Sequence, residues 1–261
     1  MTISLSVLAP TRTRILRGTV CWSTAALGPP GLPTSLDVTL DLSSRTVHLG
    51  GMTTDYALLA RTAIQSTSDL QDSVRYPPIA ANSPMTMLPE QAANWAYPQP
   101  DMDDEEIVFT VTTSLAGTFY LSGHVDRMNA HQMALVQSGV EVKALRSDLT
   151  SHIPWWPKGL ASWDDEWIVT GRRKKSSRDG VIIVWHRPST ESTVLDLPDL
   201  AGTHLEPLYP PACLVPDPGI HIADSSSSPR LNCPSPKPTG RVFRVRDLHD
   251  CVTDVAEMEK K

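Results

Sequence analysis

The stretch Gln65-Ser66-Thr67-Ser68-Asp69-Leu70-Gln71-Asp72 sets two acids three positions apart among small hydroxylated residues. It follows an apolar run (Tyr56, Leu58, Leu59, Ile64) that reads as a short helix leading into a strand. An acid at the carboxyl end of a strand is where a parallel barrel keeps its catalytic groups. Breaking a glycosidic bond needs two carboxyl groups, one to protonate the leaving oxygen and one to attack or to activate water. By itself a D-x-x-D pair is usually an exposed turn or a helix cap, so a catalytic meaning depends on the chain around it.

Downstream, Tyr76 to Pro100 carries six prolines, and Leu88 to Ala96 has the form of a helix with Pro at its first turn. Asp101 to Glu106 is an acidic run that suits a solvated turn or a helix start. Ile107 to Leu121 mixes helical and strand character. Asn129 to Leu149 is the clearest helix, with Met133, Val136, Val140 and Ala144 forming an apolar stripe that Leu135, Val142, Leu145 and Leu149 widen. The character changes near Pro154. Trp155, Trp156, Trp163 and Trp167 crowd together, and short strand-like runs follow at Trp167–Thr170, Val181–Trp185, Thr193–Leu197 and Val242–Val245, with a basic turn over Arg172–Arg178. Such runs, separated by Pro, Gly, Ser and Asp, predict an antiparallel β domain. Upstream, Gly28 to Pro33 is a loop signal and Ser35 to Val47 alternates like a strand.

Composition excludes several classes. The 261 residues hold 23 Lys and Arg against 29 Asp and Glu, a net charge of −6, which leaves no basic surplus for a dedicated nucleic-acid binder. With 40% hydrophobic residues the chain is not wholly disordered. No run is long enough for a membrane-spanning helix. The 23 prolines disfavour an all-helical fold. Met1 to Val20 makes a poor signal peptide, and Cys21, Cys213, Cys233 and Cys251 are too sparse for a disulfide framework, so the expected compartment is cytoplasmic with free thiols. No zinc-ligand spacing, nucleophile elbow, phosphate loop or dinucleotide glycine pattern occurs, and His124 beside Asp126 reads as structural. No cofactor and no metal are expected.

Several segments, in order, resemble the α-galactosidases of glycoside hydrolase family 36. They are Gly50-Gly51-Met52 with Asp55-Tyr-Ala-Leu-Leu59, the Gln65–Asp72 stretch, Arg75-Tyr-Pro-Pro-Ile-Ala-Ala81, Pro89-Glu-Gln-Ala-Ala-Asn-Trp-Ala-Tyr-Pro-Gln-Pro100, and Gly117-Thr-Phe-Tyr-Leu-Ser-Gly-His-Val-Asp-Arg-Met128. Trp156 to Trp167 and Val181 to Trp185 are similar to the join between barrel and C-terminal β domain, and Gly240 to Val245 to the last strand of that domain. The resemblance is continuous from about residue 50 to 160 and patchier to 245. It implies an α/β plus β fold: the C-terminal part of a (β/α)8 TIM barrel followed by an antiparallel β-sandwich domain. The implied division is an atypical leader over 1–45, a partial barrel over 46–155, a β domain over 156–247 and a polar tail over 248–261.

The resemblance implies retaining hydrolysis of terminal α-D-galactosyl residues, with a galactose-containing oligosaccharide as partner, neither nucleic acid nor membrane, and an oligomer allowed. Its acid/base lands on Asp69. Its sugar-pocket segment, Cys-Ser-Ser-Gly-Gly, lands on Val47 to Gly51, where Val47, His48 and Leu49 depart, Thr53 stands for an expected Arg, and Gly50 is the substrate contact carried over. Nothing in residues 1–49 resembles the family's nucleophile strand. Asp55 reads better as a helix cap than as a substitute. A barrel takes ~30 residues per βα unit, so an acid/base after about the sixth strand needs roughly 150 to 190 residues ahead of it, whereas 68 precede Asp69. The expectation is therefore an incomplete α-galactosidase-type enzyme, inactive alone and poorly soluble without a partner. The alternative is a non-catalytic carbohydrate-binding or interaction module built on the β domain around the tryptophan cluster, against which stands the plain role of that cluster as packing between domains.

Overall fold

The structure, a computed structural model, describes residues 45–46, 59, 64–144, 151–187, 194–216, 219–223 and 228–248. Its first part alternates strand and helix. Strands β1 (Arg45–Thr46), β2 (Ile64–Ser66), β3 (Ala92–Ala96) and β4 (Thr118–Leu121) lie side by side in chain order, every pair parallel. Parallel neighbours need a crossover. Helix α1 (Pro77–Asn82) joins β2 to β3, α2 (Asp104–Leu115) joins β3 to β4, and α3 (Ala130–Ala144) follows β4.

The helix expected to start near Leu88 is instead a turn that feeds β3. Ala92, Ala93, Asn94 and Ala96 are all buried. A parallel strand covered on both faces loses its period-two signature, and alanine's local preference for helix yields to the two neighbours that pair with it. The acidic run behaves as expected. Asp103 accepts a hydrogen bond from the Glu106 N–H at 3.0 Å, and Glu106 accepts one from the Asp103 N–H at 2.9 Å, a reciprocal cap that opens α2. From Ile107 to Leu115 every residue of α2 is buried. The buried face of α3 is Gln132, Leu135, Val136, Ser138 and Gly139, while Met133 of the expected stripe is exposed. The reason is steric: a Cβ at position 139 would run into Val111 of α2, so the two helices meet where α3 has no side chain. Leu145 and Leu149 of that stripe lie outside the described residues.

The second part is antiparallel, and each of the four expected runs holds a strand, although Thr193 of the third lies outside the described residues. Strands β5 (Ile153–Trp155), β6 (Trp167–Arg173), β7 (Gly180–His186), β8 (Val194–Asp196), β9 (Thr203–Tyr209), β10 (His221–Ala223), β11 (Arg230–Asn232) and β12 (Thr239–Asp247) form a five-stranded sheet in the order β5-β6-β7-β12-β9 and a three-stranded sheet in the order β10-β11-β8. The basic turn is shorter than expected, since Arg172 and Arg173 belong to β6.

The five-stranded sheet is covered on both faces. One face carries Ile168, Ile183, Trp185, Tyr209 and Val242 into a core shared with Phe109, Val111, Leu135 and Val136 of the helices. The other carries Trp167, Val169, Val184, Phe243 and Val245 against Leu195 and Leu231 of the three-stranded sheet. The first core therefore crosses residue 155. Helix α2 lies close on β12, where a Cβ at Gly240 would sit 2.9 Å from Thr112. Trp185 donates from Nε1 to Thr113 Oγ1 at 3.1 Å, and the buried Arg241 holds Glu105 through both guanidinium ends.

Candidate functional site

Helix α2 covers one face of the parallel sheet. Its Ser114 hydroxyl reaches the backbone oxygens of Asn94 and Tyr120, and Ala96 and Phe119 enter the helical core. Period-two alternation sends Trp95 to the opposite face. There Trp95 donates from Nε1 to Ser66 Oγ at 2.9 Å, stacks on Tyr97 with ring centres 6.0 Å apart, and meets Tyr120 edge-on at 4.9 Å. Ser66 ends β2 and Tyr97 follows β3, so the cluster gathers toward the carboxyl ends of the strands.

The loop that leaves β2 is tied to this cluster by a chain of hydroxyls. The Trp95 N–H donates to the Tyr76 oxygen at 3.2 Å, Tyr76 and Thr67 share a hydrogen bond of 2.8 Å, and Thr67 donates to Asn94 Oδ1 at 2.7 Å. Thr67 has one proton. With it on Asn94, Tyr76 is the donor to Thr67. Burial pushes the Tyr76 hydroxyl up to about 12, against the lowering effect of its bonds to Thr67 and Trp95. Burial also pushes Tyr97 up, and the charges of Tyr76 and Asp69 add to it. Both phenols stay protonated at neutral pH and act as neutral donors and acceptors.

Asp69 sits on the exposed part of this loop, two residues past Thr67, where its charge is felt by both Tyr76 and Tyr97. Asp72 has a different place. Its carboxylate accepts the N–H groups of Val74 and Arg75 at 3.0 and 3.1 Å and pairs with the Arg75 side chain, so it caps a turn. Gly50, Val47 to Gly51 as a whole, Thr53 and Asp55 lie outside the described residues. Among the described residues no group of His, Cys, Asp and Glu is arranged to hold a metal ion, and no helix is long and apolar enough to cross a membrane. The tryptophan cluster is mostly packing: Trp155 bonds Asp199, Trp156 bonds the Ala81 carbonyl, and Trp167 is buried beside His186. Trp163 alone of the four is exposed, at the mouth of a cavity it shares with Thr67, Asn82 and Thr86.

No family model matches the chain, and no curated protein matches it. Solved structures do. The GH36 α-galactosidase AgaA of Geobacillus stearothermophilus in complex with raffinose superposes with a TM-score of 0.59 at 12% identity. It covers 77% of this chain and 28% of its own. The fold is GH36-like. AgaA in complex with 1-deoxygalactonojirimycin and AgaB from the same organism give TM-scores of 0.55, each at 10% identity over the same shares. This chain thus spans little more than a quarter of the length of the GH36 structures it matches.

In a GH36-like frame the aromatic face is what sequence reasoning passed over. Trp95, Tyr97 and Tyr120 all lie in segments that carry the family resemblance, yet none shows a catalytic residue type at a diagnostic spacing. The available signal was the recurrence of aromatic residues at the ends of two successive β runs.

Proposed function

We propose that this chain carries the acid/base side of a retaining α-galactosidase-type site, with the four parallel strands as the closing part of a (β/α)8 barrel and the two antiparallel sheets as a β-sandwich domain behind it. The observation that carries this reading is the exposed Asp69 on the loop leaving β2, beside an aromatic cluster in which Trp95 and Tyr97 are half-buried and Tyr120 is buried against Trp95. The alternation of parallel strands and helices and the likeness to GH36 structures, one of them with raffinose, support it.

In this reading a terminal α-galactosyl group lies against the aromatic face, whose rings suit the apolar side of a pyranose. Gly50 contacts the sugar. Asp69, protonated, gives its proton to the glycosidic oxygen as the bond to the anomeric carbon breaks, then takes one from water in the second step. Ser66 holds the Trp95 indole, and the Trp95–Tyr76–Thr67–Asn94 chain fixes the start of the loop. The second carboxyl group belongs about 5 to 5.5 Å from the first in a retaining site. No residue of this chain is assigned to it, so the chain by itself binds galactoside without turning it over.

The test is a chromogenic α-galactoside with the purified full chain, beside galactose binding read from tryptophan fluorescence. The expected result is binding without turnover, weakened about tenfold in Trp95→Ala by loss of the stacking face. Turnover abolished by Asp69→Asn would keep the acid/base assignment and overturn the inactivity. Turnover that survives Asp69→Asn, or no galactose binding at all, would overturn the reading.

A further inference from the structure

At the end of the parallel strands away from Asp69, where α2 and α3 run out over the five-stranded sheet, a cavity of about 290 Å³ opens. Leu115 of α2, Val142 of α3 and Ile183 of β7 form its apolar depth. Its mouth is cationic, and the strand register explains why. Arg172, Val181 and Arg244 face one another across β6, β7 and β12, and Arg246 projects from the next position on the same face. Lys174 stands beside them, just past β6. Among the described residues these four cations thus meet one lining carboxylate, Asp179, which already accepts from Lys174 Nζ at 2.9 Å and from the Asp247 N–H at 2.7 Å.

Among the described residues the two outer guanidiniums have no carboxylate close by. Arg244 and Arg246 share Glu206 at 3.9 and 3.7 Å, beyond good hydrogen-bond distance. Arg244 Nε is shut off from solvent with no hydrogen-bond partner among the described residues. A buried donor left unmade is costly. Arg172, itself buried, donates to the Ala116 carbonyl at the cavity wall. An apolar depth behind a surplus of guanidinium groups is the complement of a molecule with an apolar tail and an anionic head. We propose that this cavity is a binding site for a small amphipathic carboxylate, its tail among Leu115, Val142 and Ile183 and its carboxylate between Arg244 and Arg246. The volume lies at the low end for ligand pockets, ~300 to 1,000 Å³, and limits the tail to a short chain.

The probe is octanoate, titrated into the full chain by calorimetry, with octanol lacking the charge and acetate lacking the tail. Octanoate is expected to bind at least about tenfold more tightly than octanol, since a charge-assisted bond to Arg is worth that much, and at least about tenfold more tightly than acetate, since its tail buries apolar surface. Arg244→Gln and Arg246→Gln should each weaken octanoate about tenfold and leave octanol unchanged. Val142→Phe, which fills the depth, should abolish both. Arg246 is exposed, so its variant keeps the fold and tests the charge independently of Arg244. The proposal fails if octanoate does not bind, if octanol binds equally well, or if binding survives both Arg246→Gln and Val142→Phe in folded protein.

Discussion

Tyr76 shows how much a single buried hydroxyl organises here. It is almost fully buried, yet it takes the Trp95 N–H and gives to Thr67, linking the loop that bears Asp69 to the strand that bears the aromatic face. Its folded-state value is raised from 10.0 to about 12. A phenol whose value rises on folding contributes stability that is fully present below pH 10 and is lost as pH rises through about 12. Stability measured by urea midpoint should therefore fall between pH 10 and 12, and Tyr76→Phe should flatten part of that fall. At neutral pH the same variant should cost about 1 kcal/mol, the usual net worth of a buried hydrogen bond. A midpoint in Tyr76→Phe that is equal to wild type at pH 7 and falls as steeply at pH 11 would show that the hydroxyl chain does not form.

At the scale of elements, α2 is the piece on which the rest is built. Its first turn is acidic and only partly exposed, its last nine residues are buried, and it touches the parallel sheet, α3 and β12 at once. The reciprocal Asp103–Glu106 cap sets where it begins. Asp103→Ala removes that cap together with an ion pair to Lys237, and since the pair is exposed, the expected loss is that of the cap, about 1 kcal/mol. Chemical denaturation reads it directly. A loss well above that would mean that Lys237 ties the two halves of the chain together. The same helix shows how legible the elements were. The acidic run before an apolar stretch marked its start, and the runs of β-branched and aromatic residues at Val181–Trp185 and Val242–Val245 marked strands. Leu88–Ala96 misled because every residue of β3 except the half-buried Trp95 is buried, which leaves almost no alternation to display.

For the whole molecule, the central fact is that the antiparallel sheet shares one core with the helices that cover the parallel sheet. Residues on both sides of position 155 should therefore unfold together, in a single cooperative transition. The parallel sheet is less well covered. Among the described residues β4 pairs with β3 alone, Trp95 and Tyr97 are only half-buried, and Met85, Leu88, Leu160 and Trp163 are exposed. Uncovered edges and apolar groups promote association. The purified chain should self-associate with rising concentration, as read by light scattering. A monodisperse monomer that melts cooperatively would contradict this.

The amino-acid sequence alone determined a mixed α/β chain with a β-rich second part, the places of four of its strands after Pro154, an acidic run that suits the start of α2, and the resemblance that singled out Asp69. Those features depend on neighbours along the chain: caps, turn residues, apolar periods and short motifs. The tertiary structure alone decided that β3 is a strand, that α3 buries Leu135 and Gly139 in place of Met133, that Trp95, Tyr97 and Tyr120 pack together on one face, and that four cations collect at one cavity mouth. Each of these joins residues far apart in sequence through strand register or helix packing, and register is set by which surfaces can be buried together rather than by any local preference.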